Sequence, residues 1–193
     1  MGGRRKKRLN LRDGVFIVGE GMTEQYYFSH LKQIKKYRCE VKPRFFGKTD
    51  IAQIEKTVER LLQGYVTVIC VFDADVSQRN IVEKTKLEKF KRKYSKNETV
   101  IICDSLPSIE LWFLLHYIKI NRRFQNYKLV IHELKKHIPN YEKTEKYFEK
   151  SKWVENLVRK MNIAVINAKS KNLEIGDSYS NMYKAIEKLD SLK

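Results

Sequence analysis

The chain has 193 residues, 42% of them hydrophobic, and 40 Lys+Arg against 23 Asp+Glu give it a net charge of +17. This length and apolar content suffice for a buried core and exclude a disordered chain, and no apolar run reaches the ~18 residues a membrane helix needs. A positive surplus of this size favours a polyanionic partner, most simply nucleic acid.

The start of the chain is basic. Residues 1–13 include Arg4, Arg5, Lys6, Lys7 and Arg8, and read equally as a phosphate-binding arm or a solubilising tail. No secretory apolar segment is present, so the expectation is a soluble, cytoplasmic protein with no membrane partner. "GVFIVGE" (14–20) reads as a buried strand. "MTEQYYFSHLKQIKKY" (22–37) carries apolar residues at helical spacing. "CEVKPRFF" (39–46) is a weaker strand, which Pro43 confines to an edge or a bulge. Thr49 or Asp50 then caps a helix over 51–62 that Gly64 closes. "YVTVICVFDADV" (65–76) is β-branched and apolar throughout, as a central strand covered on both faces would be. A basic helix follows over 77–96, then a strand, "TVIICD" (99–104). The Ser and Pro of "SLPSIELWFLLHYIKI" (105–120) predict a helix start. From about 127 the pattern is helical and basic. Cys39, Cys70 and Cys103 are widely spaced and odd in number, which argues against a disulfide framework and a zinc site.

Alternating strands and helices predict an α/β layer fold with a mainly parallel sheet. Its boundaries are a basic tail (1–13), an α/β core (14–125) and a helical C-terminal extension packed on that core (126–193). In such sheets, sites lie along the carboxyl ends of the strands. The first strand ends at Glu20, the central one at Asp73 and Asp75, and the next at Asp104, with Glu110 in the helix beyond. Asp73 and Asp75 would point to the same side of an extended strand. Bare acids so close would repel, and a divalent cation removes the difficulty; Mg²⁺ takes a few carboxylates plus waters and pairs with phosphate oxygens. Acids that hold a metal on a chain that holds a phosphate backbone suit metal-dependent phosphodiester chemistry.

Each acid has a structural alternative. Asp73, Asp75 and Asp104 are N-cap or turn residues by type, and Glu24 is a first-turn partner for the helix dipole. Glu110 lies among apolar residues, where a lone carboxylate is costly. His116, six positions on, reads as a packed or hydrogen-bonded histidine before a ligand. "GEGMTE" is neither a P-loop nor a dinucleotide fingerprint, and there is no G-x-S-x-G elbow.

Taken together, "FIVGEGMTEQYYFSHLK", "VFDADV" and "SLPSIELWFLLHY" resemble the RloB-like family, whose members have a Toprim-like (Rossmann-like) fold; the less specific "NYEKTEKYF" and "DSYSNMYKAIEKL" fit its helical part. The resemblance implies a nuclease of bacterial restriction and abortive-infection loci, acting on DNA or RNA with Mg²⁺ or Mn²⁺, often beside an ATPase partner. It implies that Glu20 is a metal ligand or general acid/base, that Asp73 and Asp75 are metal ligands, and that Glu24 and Glu110 are the glutamates of the first and third motifs. Lys143, in "YEK", falls where such nucleases stabilise developing phosphate charge. Unlike many Toprim domains, "DADVSQRN" has no glycine soon after the two aspartates. The competing functions are a non-catalytic module that binds nucleic acid or an ATPase, and a nucleotidyl-transfer enzyme. A homo-oligomer is left open.

Overall fold

The structure is a computed structural model and describes residues 14–42, 51–64, 66–75, 81–170 and 177–192. The basic arm with Arg4, Arg5, Lys6, Lys7 and Arg8, the Pro43 bulge and the Thr49/Asp50 cap lie outside the described residues. Four strands follow the predicted order: β1 (Val15–Gly19), β2 (Glu40–Lys42), β3 (Thr67–Asp73) and β4 (Val100–Leu106). Between them run α1 (Met22–Lys35), α2 (Ile51–Leu62) and α3 (Ile81–Tyr94). After β4 come α4 (Glu110–Leu115), α5 (Tyr127–Leu134), α6 (Glu145–Phe148), α7 (Lys152–Val158) and α8 (Met161–Lys169), then a two-residue strand, β5 (Tyr179–Ser180), and α9 (Met182–Asp190).

The sheet order is β2-β1-β3-β4-β5. The first three pairings are parallel and β5 lies antiparallel to β4, so the fold is α/β with a mostly parallel sheet between helices, as a Toprim-like or Rossmann-like fold requires. The helical reading of the C-terminal part did not include β5, which is too short to leave a period-two pattern. The predicted helix over 105–120 is also revised. β4 continues through Ser105 and Leu106, and the helix spans only Glu110–Leu115.

Alternation along the strands sorts the core into two layers. Val15 and Ile17 of β1, Ile69 and Val71 of β3, and Cys103 of β4 face a large cluster built with α1, α4 and the C-terminal helices. Val18, Val68, Cys70, Phe72 and Val100 face a smaller cluster with α2 and α3. The first cluster contains buried residues from Val15 to Leu189, so the C-terminal helices complete the same core that β1 begins.

The chain leaves β1 outward to β2 and returns across it to β3, so the order reverses between β1 and β3, and there the crevice opens at the carboxyl ends of the strands. The turn into α1 is close. A Cβ on Gly19 would sit 2.8 Å from the Cβ of Glu24, an atom fixed to the helix backbone, so only glycine lets α1 start this near the strand. Gly19→Ala is therefore expected to cost ~1–3 kcal/mol by forcing the helix start away. Gly64→Ala, where the nearest atom is 3.4 Å away, should stay within ~0.5 kcal/mol. Urea unfolding of the two variants compares them directly, and equal stabilities would contradict the close approach.

Candidate active site

The parallel register sets Gly19 beside Val71, and the Glu20 N–H donates to the Val71 carbonyl at 3.1 Å. One residue past its strand, Glu20 turns back, and its Oε2 accepts the Asp73 N–H at 2.9 Å. Asp73, the last residue of β3, follows Ile69 and Val71 onto the large-cluster face, and its Oδ1 accepts the Ile109 N–H at 2.8 Å. That bond ties the end of β3 to the segment that leads into α4, whose first residue is Glu110.

Glu110 is fully buried. Its Oε1 accepts a hydrogen bond from the Tyr141 hydroxyl at 3.1 Å and pairs with the Lys143 ammonium at 3.0 Å. Its Oε2, equally buried, has no hydrogen-bond partner among the described residues. Glu24 serves two ends. Its Oε2 accepts the Gly21 N–H at 3.0 Å, half of a capping box that starts α1. Its charge also acts on Glu20, Asp73 and Glu110.

The electrostatics show how closely these groups are gathered. Burial, followed by the charges of Glu20 and Glu110, pushes the Glu24 carboxyl up to about 7. Burial and the charges of Glu24, Glu110 and Glu20 hold Asp73 well above the usual carboxylate range. Glu20 is raised by burial, against the Asp73 N–H bond, and by the charge of Asp75. Burial alone would lower Lys143, but the charges of Glu110 and Asp73 outweigh it and keep the ammonium protonated. Lys143 is the cation that answers this group.

The structure thus brings together Glu20, Glu24, Asp73, Asp75, Glu110 and Lys143. Asp75 arrives differently from the sequence expectation. β3 stops at Asp73, and Asp75 lies in the turn beyond, so strand alternation does not align the two aspartates. Asp104 is not a member. It is two residues short of the end of β4, and alternation turns it to the opposite face. There it pairs with Lys91 of α3 and accepts hydrogen bonds from Tyr179 at 2.6 Å and the Asn181 amide at 2.8 Å. Burial works against its charge, but the Lys91 charge and these bonds win and lower its carboxyl. His116 is buried in the core. Its Nδ1 donates to the Trp112 carbonyl at 2.9 Å, and burial pushes its ring down to about 4, so it is neutral. Tyr141 is the site residue the sequence did not disclose; its one signal is a large aromatic two positions before Lys143 in an otherwise polar run.

Among the described residues, no three His, Cys, Asp or Glu side chains converge to hold a metal ion as they stand. Mg²⁺ does not require such a set, because one or two carboxylates commonly hold it while water and phosphate oxygens complete the shell. Glu20 and Asp73 are a pair of that kind. Each commits one oxygen to a backbone N–H, and the orphaned Oε2 of Glu110 adds an unanswered acceptor nearby. The all-oxygen donors suit a hard divalent cation, and Glu20, Asp73 and Asp75 are the residues that could hold it.

A family model described as RloB-like protein matches residues 15–189. The chain belongs to the RloB-like family. No curated protein and no solved structure matched it. The RloB-like match runs through both the α/β core and the C-terminal helices, so every gathered residue, Tyr141 and Lys143 included, falls within it.

Two outcomes follow for the acids of this RloB-like chain. Glu24 has a folded pKa of about 7 against an ordinary value of 4.5. Its contribution is therefore fully present below pH ~4.5 and is lost as pH rises through ~7, a loss of order 1–3 kcal/mol. Glu24→Gln keeps an acceptor for the Gly21 N–H but cannot ionise, so its Tm should gain on the wild type by several degrees between pH 5 and pH 8; a flat difference would show that the carboxyl is not buried as described. Asp104→Asn should cost ~2–4 kcal/mol, because it leaves Lys91 and the Tyr179 hydroxyl without their anion. If Asp104 belongs to the frame and not the site, calorimetric Mn²⁺ binding by that variant matches the wild type.

Proposed function

We propose that this chain is a divalent-metal-dependent nuclease that hydrolyses phosphodiester bonds of DNA or RNA in bacterial phage defence. The observation that carries the reading is the convergence of Glu20 and Asp73 at the β1/β3 reversal point, backed by Glu24, Asp75 and Glu110 and answered by Lys143, on a chain of net charge +17. The defence setting and an ATPase partner come from the family resemblance.

Glu20 and Asp73, with Asp75, would hold Mg²⁺ or Mn²⁺. A cation bound there would supply an activated water and neutralise charge at the scissile phosphate. The remaining work belongs to the chain. The Lys143 side chain is 41% exposed while Glu110 beneath it is fully buried, so the ammonium sits at the mouth of the site, able to meet a phosphate oxygen. Glu24 and Glu110 line the floor with carboxylate oxygens, which favour a cation over other small ligands. Exposed Arg123, Lys128, Lys135, Lys146 and Lys150 on the C-terminal part extend the positive surface that would hold a nucleic-acid backbone.

The test is direct. Purified protein, with and without its ATPase partner, is incubated with DNA and RNA plus Mg²⁺ or Mn²⁺. Cleavage should vanish with chelator, weaken steeply with added salt, and fall by at least ~100-fold in Glu20→Ala and Asp73→Ala. Unchanged cutting by both variants sinks this site. No cutting under any condition, together with salt-sensitive nucleic-acid binding, favours the binding module.

A further inference from the structure

The two oxygens of Glu110 are treated unequally. Oε1 carries both the Tyr141 hydroxyl and the Lys143 ammonium, and Oε2 carries nothing among the described residues. A buried carboxylate oxygen without a donor is costly. The neighbouring charges of Asp73 and Glu24 add to that cost, so the arrangement persists only because its surroundings hold it.

The two groups on Oε1 differ in freedom. Lys143 is a long, partly exposed chain that can exchange Glu110 for a phosphate. Tyr141 cannot move in this way. It is as deeply buried as Glu110, and its ring packs edge-on against Phe113, Tyr147 and Phe148, with centroids 6.3, 5.4 and 6.0 Å away. Those rings aim the hydroxyl at Oε1.

We propose that Tyr141 is a positioning residue. Its hydroxyl pins Oε1 of Glu110, so that Oε2 stays presented to the acid cluster as an acceptor for a water at the scissile phosphate, including when Lys143 has turned to the substrate. The proposal rests on the nuclease reading above. It adds that the C-terminal part of the chain supplies a group that sets the geometry of the site, besides the charge of Lys143.

Tyr141→Phe removes the hydroxyl and keeps the ring. With the nucleic acid and cation that the wild type uses, kcat should fall by ~10–100-fold with KM unchanged, as expected of a misplaced acceptor. If Tyr141 acts through Glu110, the double variant Tyr141→Phe/Glu110→Gln cuts no more slowly than Glu110→Gln alone. A wild-type kcat in Tyr141→Phe, or losses that add in the double variant, overturns the proposal. The same four proteins, metal-free in urea, give a second reading. Coupling between the two positions should change the folding constant by about fivefold or more. No coupling removes the contact and the proposal with it, whatever the wild type cuts. Coupling in a wild type that cuts nothing sinks the nuclease reading while the Tyr141–Glu110 contact stands.

Discussion

Like charges do not collect inside a protein unless something answers them, and at the ends of β1 and β3 Glu20, Glu24, Asp73 and Glu110 gather around one ammonium among the described residues, that of Lys143. These four acids are held by different devices. Glu20 bonds the Asp73 N–H, Asp73 bonds the Ile109 N–H, Glu24 bonds the Gly21 N–H, and Glu110 bonds Tyr141 and Lys143. These bonds are local, whereas the repulsion is shared. The result is that the carboxyls of Glu20, Glu24 and Asp73 are pushed up, a state that a bound cation would relieve. The glycine at 19, the reversal of strand order and the approach of the C-terminal helices all serve to bring these acids within reach of one another.

Much of this was legible in the residues. β-branched apolar runs marked β1, β3 and β4, and the acids at the ends of β1 and β3 stand where they were expected. The error at Asp104 has a clear physical origin. A charged residue at the end of an apolar run reads as the end of a strand, yet β4 continues for two residues because β5 pairs with Ser105 and Leu106. Once the strand is longer, alternation sends Asp104 to the other face. Lys91, Tyr179 and Asn181, the groups that satisfy it there, are remote in sequence. Asp75 fails the alternation argument for the opposite reason, because β3 is shorter than its apolar composition suggested. Glu24 posed a choice between helix start and site; the structure gives it the helix-start bond to the Gly21 N–H and sets it beside Glu20, Asp73 and Glu110. Tyr141 had no legible role, since its contact with Glu110 spans 31 positions and depends on the packing of three other rings.

The two faces of the sheet use acids in contrasting ways. On one face Asp104 is saturated: its oxygens take bonds from Lys91, Tyr179 and Asn181, and its carboxyl is lowered. On the other face Glu20, Glu24 and Asp73 are raised. A saturated buried carboxylate holds elements together, whereas a raised group of them fits the cation-binding reading proposed above. For Asp104 against Glu20, Glu24 and Asp73, the direction of the shift marks this contrast.

The bonds to Asp104 also bear on the order in which the chain can become itself during synthesis. Tyr179 and Asn181 are made 75 and 77 positions after Asp104, yet they bond its carboxylate. Until they emerge, β4 has no β5 beside it, and Asp104 lacks two of the donors that satisfy it. Domains that fold from the amino end as they are made can close their sheet early. This one completes the edge beside β4 only after residue 181 has been made, long after its four parallel strands.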